Sequence, residues 1–281
     1  MQLQPALTVA SNLLLFTLVA CLAASVDTNS AAKRGPKAYA KPITIVALTQ
    51  FAIMPLAGYA ALNIADLPIH EGLILLVLTA SPGGAYSNLW CSIFNADLAF
   101  SVAATTVSTL LSTFMLPINL SVYVPILYQG DDVLAKLDWF VIVSTIVIVL
   151  VAVAVGLAAS WKLSKYPDRE DKIRARMNLC GNLAGLTLII LTAVTASTES
   201  PIWNRDLEFY MAVCTPALTA LFVTLSLSSL PCLGISNPVK SAVAVECIYQ
   251  NVGISSSLAL TLFSDKEKAS QAAGALSPPP F

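Results

Sequence analysis

Apolar residues in this chain come in long runs, not in alternation. Eight stretches are almost continuously hydrophobic, at about 6–25, 42–61, 71–94, 97–118, 138–160, 178–198, 208–231 and 239–263. A helix of about 20 residues crosses the hydrocarbon core of a bilayer, so each run predicts one span. Barrel strands would be shorter and would alternate, which excludes that class. The connections are short, so one compact bundle is expected. The fifth run, Trp139 to Ala159, has only Ser144 and Thr145 as polar side chains. A helix apolar all round faces lipid or packed core, not a watery site.

The polar positions that interrupt the other runs carry more information. Glu246, in Val245-Glu246-Cys247-Ile248-Tyr249-Gln250-Asn251, reads as the only charged residue in the interior of any run. A carboxylate at mid-membrane costs roughly 2.5–3.5 kcal/mol to insert, so something must face it. On a helix, Gln250 lies one turn on, and Gly253 follows ahead of Ser255, Ser256 and Ser257. Either the group binds a bare cation or it is a protonated acid bonded to a neighbouring helix. The third run holds Ser81-Pro82-Gly83-Gly84-Ala85-Tyr86-Ser87-Asn88 at its centre. Proline removes a donor and glycines loosen the backbone, so a break or a packed kink is expected there. Two interrupted runs in corresponding halves of a chain point to the mid-membrane binding site of a secondary transporter. Ser101, Thr105, Ser108 and Ser112 share one face of the fourth run, the last two read as packing hydroxyls. Gln50 is a lone amide in the second run and by itself reads as helix–helix glue.

Composition agrees with the runs. Of 281 residues, 57% are hydrophobic and 11% charged, against about 25% charged in soluble domains. Lys33, Arg34, Lys37, Lys41, Lys162, Lys165, Arg169, Lys172, Arg174, Arg176 and Lys240 fall on one side of the expected bundle. Only Lys136, Arg205, Lys266 and Lys268 fall on the other. The first side is therefore expected to be cytoplasmic and both termini external. The 119–137 connection is then an external loop carrying the sequon Asn119-Leu120-Ser121. No Lys or Arg precedes Lys33, so the first run reads as a membrane helix and not a signal peptide. No transit peptide is evident, which favours the cell surface over an organelle. The net charge of −1 and the lack of a basic patch give no reason to expect a nucleic-acid partner. Six cysteines without a CxxC pair, and a sole histidine, His70, read as lying in a loop, argue against zinc or a disulfide framework. An intramembrane enzyme would need a nucleophile–base pair or paired aspartates in the membrane, yet His70 reads as a loop residue and Glu246 has no acidic partner.

Four motifs in order carry a resemblance. Gln50-Phe51-x-x-Met54-Pro55, Ser81-Pro82-Gly83-Gly84-x-x-Ser87-Asn88, Asp97-x-x-x-Ser101-x-x-x-Thr105-Thr106 and Glu246-x-x-x-Gln250-Asn251 together resemble the bile acid:sodium symporter family, from about residue 42 to 273. The resemblance implies a single all-α transporter domain over 1–281, with an inverted repeat. Its core would take about 42–118 and 208–265, its panel about 6–25 and 138–198, leaving 265–281 as a tail outside the membrane. Discontinuous third and eighth helices, broken at Pro82, Gly83, Gly84 and Gly253, would cross in the core. One sodium site would use Ser87, Asn88, Ser101, Thr105 and Glu246. A second would use Gln50, Glu246, Gln250 and the carbonyls of Cys247 and Tyr249. The implied activity is sodium-coupled symport of an organic anion, bile acid-like or a small carboxylate, by alternating access within the lipid bilayer. Sodium is the coupling ion, no cofactor is implied, and no protein partner is named. Two departures stand out. Ala85-Tyr86 replaces a polar or small pair, and the chain ends in Pro278-Pro279-Pro280-Phe281 where the family continues into one more helix. A missing last helix is therefore expected, with poor transport by the chain alone. The alternative is a truncated, non-transporting form that acts as a binding or assembly partner.

Overall fold

The structure is a computed structural model and describes residues 3–25, 36–65, 67–84, 87–128, 139–196, 206–252 and 255. These are helical almost throughout. Helix α1 covers Leu3–Ser25 and α2 covers Pro36–Leu48. A π-helical turn, Thr49–Ile53, joins α2 to α3, Met54–Ile64. Then come α4, Ile69–Ala80, the short α5, Ser87–Ile93, and α6, Leu98–Leu127. The chain continues with α7, Trp139–Leu163, α8, Pro167–Ala196, α9, Leu207–Ser228, and α10, Asn237–Ile248. Tyr39–Ile64, Leu98–Leu127 and Leu207–Ser228 are each long and apolar enough to cross a membrane. Ile69–Ala80 is only half a span, because its run is interrupted after Ala80.

The π turn has a local cause. Pro55 has no N–H, so the carbonyl four residues earlier, that of Phe51, loses its helical partner. The Met54 N–H reaches back five residues to Thr49 O, and Asn119 Nδ2 donates to Phe51 O at 3.2 Å from α6. This corrects the external-loop expectation for 119–127. That segment is helix, and Asn119 is a buried donor rather than an exposed sequon. Leu116, Leu120 and Val124, spaced by four, keep the same face buried past the end of the apolar run. Residues 129–138 lie outside the described ones.

Two packing groups follow from these helices. Helix α1 lies against α7 and α8. Close approach is possible because Gly156 faces Ala20 O and the Ala23 side chain, while Gly181 faces Leu18, Cys21 and Leu22; small residues serve this role between membrane helices. Helix α9 packs on α3 and α10, and α10 touches α2, α5 and α6. A hydrophobic cluster with Leu15, Val19, Leu76, Leu120, Val149, Val153 and Leu188 joins the two groups.

Two further expectations change. His70 is not in a loop but in the first turn of α4, beside the buried Glu71, where an acid suits the positive helix end. The basic connection after the fifth run is also mostly helix, since only residues 164–166 separate α7 from α8. Consequently Arg174 is 7% exposed instead of solvated. It donates to Ala24 O at 3.1 Å and to Ser160 Oγ at 2.9 Å, and pairs with Glu170 at 2.6 Å. One guanidinium thus ties the ends of α1 and α7 to α8. Arg174→Met leaves Glu170 and two acceptors without it and is expected to cost about 3 kcal/mol. Thermal unfolding in detergent measures this, and an unchanged midpoint would mean the network is ornamental.

Candidate functional site

Helix α4 stops because Pro82 cannot donate and Gly83 and Gly84 tolerate close neighbours. On the other side, α10 ends at Ile248, Tyr249 is extended and Gln250 forms an isolated bridge. The two unwound segments cross antiparallel, Gly83 opposite Gln250. The Gly84 N–H donates to Tyr249 O at 2.7 Å, and the Asn251 N–H donates to Pro82 O at 2.8 Å. Each segment thereby satisfies backbone groups that the other's break sets free, as an apolar interior requires. Side chains are excluded from the crossing: a Cβ on Gly84 would lie 2.6 Å from Gln250 O, and one on Gly83 2.5 Å from Glu246 Oε2. Just beyond, Ser255 Oγ meets Ser81 Oγ at 2.9 Å, both fully buried.

Beside the crossing sits Glu246, 0% exposed. Its Oε1 accepts from Ser87 Oγ and Ser101 Oγ at 2.5 Å each, and from Thr105 Oγ1 at 2.9 Å. Ser87 is the first residue of α5, while Ser101 and Thr105 are one turn apart on α6. Two elements therefore converge on the carboxylate of a third, α10. The ion pairs among the described residues are His70–Glu71 and Glu170–Arg174, so none of the described cationic side chains pairs with Glu246. Asn88 follows Ser87 in α5, but its side chain lies outside the described residues, as do Ala85, Tyr86 and Gly253.

A second polar group lies on the backbone side of Glu246. Gln50, in the π turn, donates to Glu246 O at 2.8 Å, and Gln250 donates to Cys247 O at 2.8 Å. The amide oxygens of Gln50 and Gln250 are buried without a hydrogen-bond partner. Such orphans cost about 1–3 kcal/mol each, which a bound cation would offset. The Tyr249 carbonyl accepts the Gly84 N–H, and a carbonyl oxygen carries two lone pairs. Hydroxyls, amides, carbonyls and one carboxylate form a hard, all-oxygen set suited to a small cation.

Ser108 and Ser112 are not part of it. They bond back to Thr105 O and Thr109 O within α6, which is packing. Sequence reading missed Cys91. It is fully buried one turn after Ser87, with its thiol beside Ser101. The four-residue spacing from Ser87 was the available signal. A cleft between the packing groups reaches this region. It is lined by Val19, Leu22 and Ala23 of α1, by Thr105, Thr106 and Thr109 of α6, and by Asn251.

Residues 10–204, more than half of the chain, match the model of the sodium bile acid symporter family. The chain belongs to that family. The hepatic sodium/bile acid cotransporter of Rattus norvegicus is 30% identical over 225 residues, 78% of this chain and 58% of that protein. The ileal sodium/bile acid cotransporter of Oryctolagus cuniculus is 33% identical over 148 residues, 52% and 40% respectively. The sodium-dependent organic anion transporter of Mus musculus is 26% identical over 172 residues, 61% and 44%. The chain thus spans about half the length of these relatives. Membership makes it an integral membrane protein of a symporter family, not an enzyme. The family match includes Gln50, Ser87, Ser101 and Thr105 and ends before Glu246. Glu246 touches that matched segment through the crossing and the three hydroxyls.

Proposed function

We propose that this symporter-family chain couples sodium to the movement of an organic anion, with Glu246 shared by two cations at the crossing. The observation that carries the reading is a fully buried carboxylate ringed by three hydroxyls, with no ion-paired cation among the described residues and two unpartnered amide oxygens nearby. A first sodium would use Ser87, Ser101, Thr105 and Glu246, with Asn88 from the resemblance. A second would use Gln50, Gln250, Glu246 and the carbonyls of Cys247 and Tyr249. The names of the relatives support bile acids or other organic anions as cargo. The group of α1, α7 and α8 would act as the panel and rock against the remaining helices, opening the cleft beside Thr106, Thr109 and Asn251. Its cavity of about 30 Å³ admits a water or two, so an anion enters only after such opening.

The energetics favour coupling. A membrane potential of about 100 mV supplies roughly 2.3 kcal/mol per charge moved, and a tenfold sodium gradient about 1.4 kcal/mol per ion. Two sodium ions with a monovalent anion therefore supply about 5 kcal/mol in an electrogenic cycle.

The test is uptake of labelled bile acids and small carboxylates into vesicles holding the 281-residue protein, in sodium and in choline. Sodium-stimulated uptake is the expected result. Equal uptake in choline would end the symport reading, and no uptake in either would favour a non-transporting form. The two cation positions separate by mutation. Gln50→Ala is expected to raise the half-saturating sodium concentration about five- to tenfold, on the scale of one lost hydrogen bond, and Ser101→Ala with Thr105→Val, which loses two hydroxyls, by at least as much. Wild-type sodium dependence in both would reduce these side chains to packing.

A further inference from the structure

The first turns of α8 present two faces. Glu170 and Arg174 turn inward onto α1 and α7, as described above. Arg169, Lys172 and Arg176, spaced three and four apart, are exposed together on one outward face. Asp171 is exposed on a different face. Further along the helix, the same angular sector continues as Leu179, Leu183, Leu186 and Ile190, all exposed apolar side chains. One stripe thus reads cationic at its end and apolar along its length.

The α7–α8 turn completes the cationic end. Trp161 is 60% exposed and Tyr166 is 66% exposed, side chains that favour the headgroup level of a bilayer. Lys165 Nζ sits 3.8 Å from the Trp161 ring centroid, which holds one more cation at the turn that leads into α8. Lys162 is exposed beside it. Topology alone requires basic residues on this side, but it requires neither a single-faced spacing nor alignment with an apolar stripe.

We infer that the outward face of α8, with Trp161, Lys165 and Tyr166, is a binding site for an anionic phospholipid. Arg169, Lys172 and Arg176 take the phosphate-bearing headgroup, and Leu179, Leu183, Leu186 and Ile190 lie along the acyl chains. Bidentate guanidinium contacts suit a phosphate oxygen pair, and the apolar stripe excludes a free anion as the intended ligand. The lipid would bear on the three helices that Arg174 ties together.

The experiment uses the full chain in nanodiscs of phosphatidylcholine with a minor share of phosphatidylserine, and measures retained lipids by native mass spectrometry. The wild-type protein is expected to retain phosphatidylserine over phosphatidylcholine by roughly tenfold or more. Arg169→Gln/Lys172→Gln/Arg176→Gln removes that preference, while Lys41→Gln/Lys240→Gln, cations placed elsewhere, leaves it intact. Lys172→Glu alone, a mild change at an exposed position, lowers it about fivefold or more and serves if the triple variant fails to fold. Equal retention of both lipids by the wild type, or an unchanged preference in either α8 variant, would overturn the proposal. Displacement of phosphatidylserine by inorganic phosphate would overturn the lipid as the ligand.

Discussion

Glu246→Gln is expected to abolish sodium-driven uptake while leaving folding and membrane insertion intact. The amide has nearly the same shape, and its oxygen still accepts from Ser87, Ser101 and Thr105, which now converge on Glu246 Oε1. Insertion becomes easier, because a neutral side chain replaces a charge at membrane depth. What disappears is the only formal negative charge facing the cations in the proposed site. Removing one partner of a buried charge pair costs about 3–5 kcal/mol, or a hundredfold or more in sodium affinity. Two measurements check this. Sodium should raise the thermal midpoint of the wild-type protein by mass action and leave that of the variant unmoved. Uptake by the variant should be the same in sodium and in choline. Undiminished sodium stimulation would show that the carboxylate is a structural hydrogen-bond acceptor and nothing more.

Gly84→Ala is expected to have the largest effect on the fold of the site. Its new Cβ would lie 2.6 Å from Gln250 O and 3.1 Å from Gln250 C, both backbone atoms. No rotamer relieves that contact, so the two segments must part. Parting them weakens the 2.7 Å and 2.8 Å bonds that hold the crossing and leaves four backbone groups in an apolar interior. Two lost buried bonds amount to about 4 kcal/mol. Gly83→Ala meets mainly side-chain ends, Glu246 Oε2 at 2.5 Å and Gln50 Nε2 at 2.9 Å. It should cost less stability but displace the cation-binding groups. The pair therefore splits stability from sodium binding. Thermal unfolding and sodium-induced stabilisation read the two quantities separately, and a Gly84→Ala protein as stable as wild type would mean that the crossing is looser than described.

The legible part of the site was its list of anomalies. A charge inside an apolar run and a proline with two glycines at mid-run are local violations of the cost of burial. Each can be recognised without knowing its neighbours. Their meeting is not local. Ser87 and Ser101 reach Glu246 across 159 and 145 residues of sequence, and nothing in either segment specifies the other except the four-motif resemblance. Cys91 escaped notice for a related reason: a buried thiol looks like a small hydrophobe until its neighbour, Ser101, is known.

The sequence by itself determined the class, because continuous apolar runs leave the backbone no option in lipid but to bond within helices. It also determined where two of those helices weaken. Only the tertiary structure decided the helix ends and the partners of buried polar groups. Hydropathy measures transfer into lipid, so it closed the fourth span near residue 118, whereas packing of Leu120 and Val124 carries α6 on to Leu127. It counted Arg174 among solvated loop charges, whereas the backbone carbonyl of Ala24 and the Ser160 hydroxyl draw it inward. Pro55 made one orphan carbonyl predictable in principle. That Asn119, 68 residues away, would satisfy it was settled by which helix lies alongside, a free energy shared between segments and written in neither.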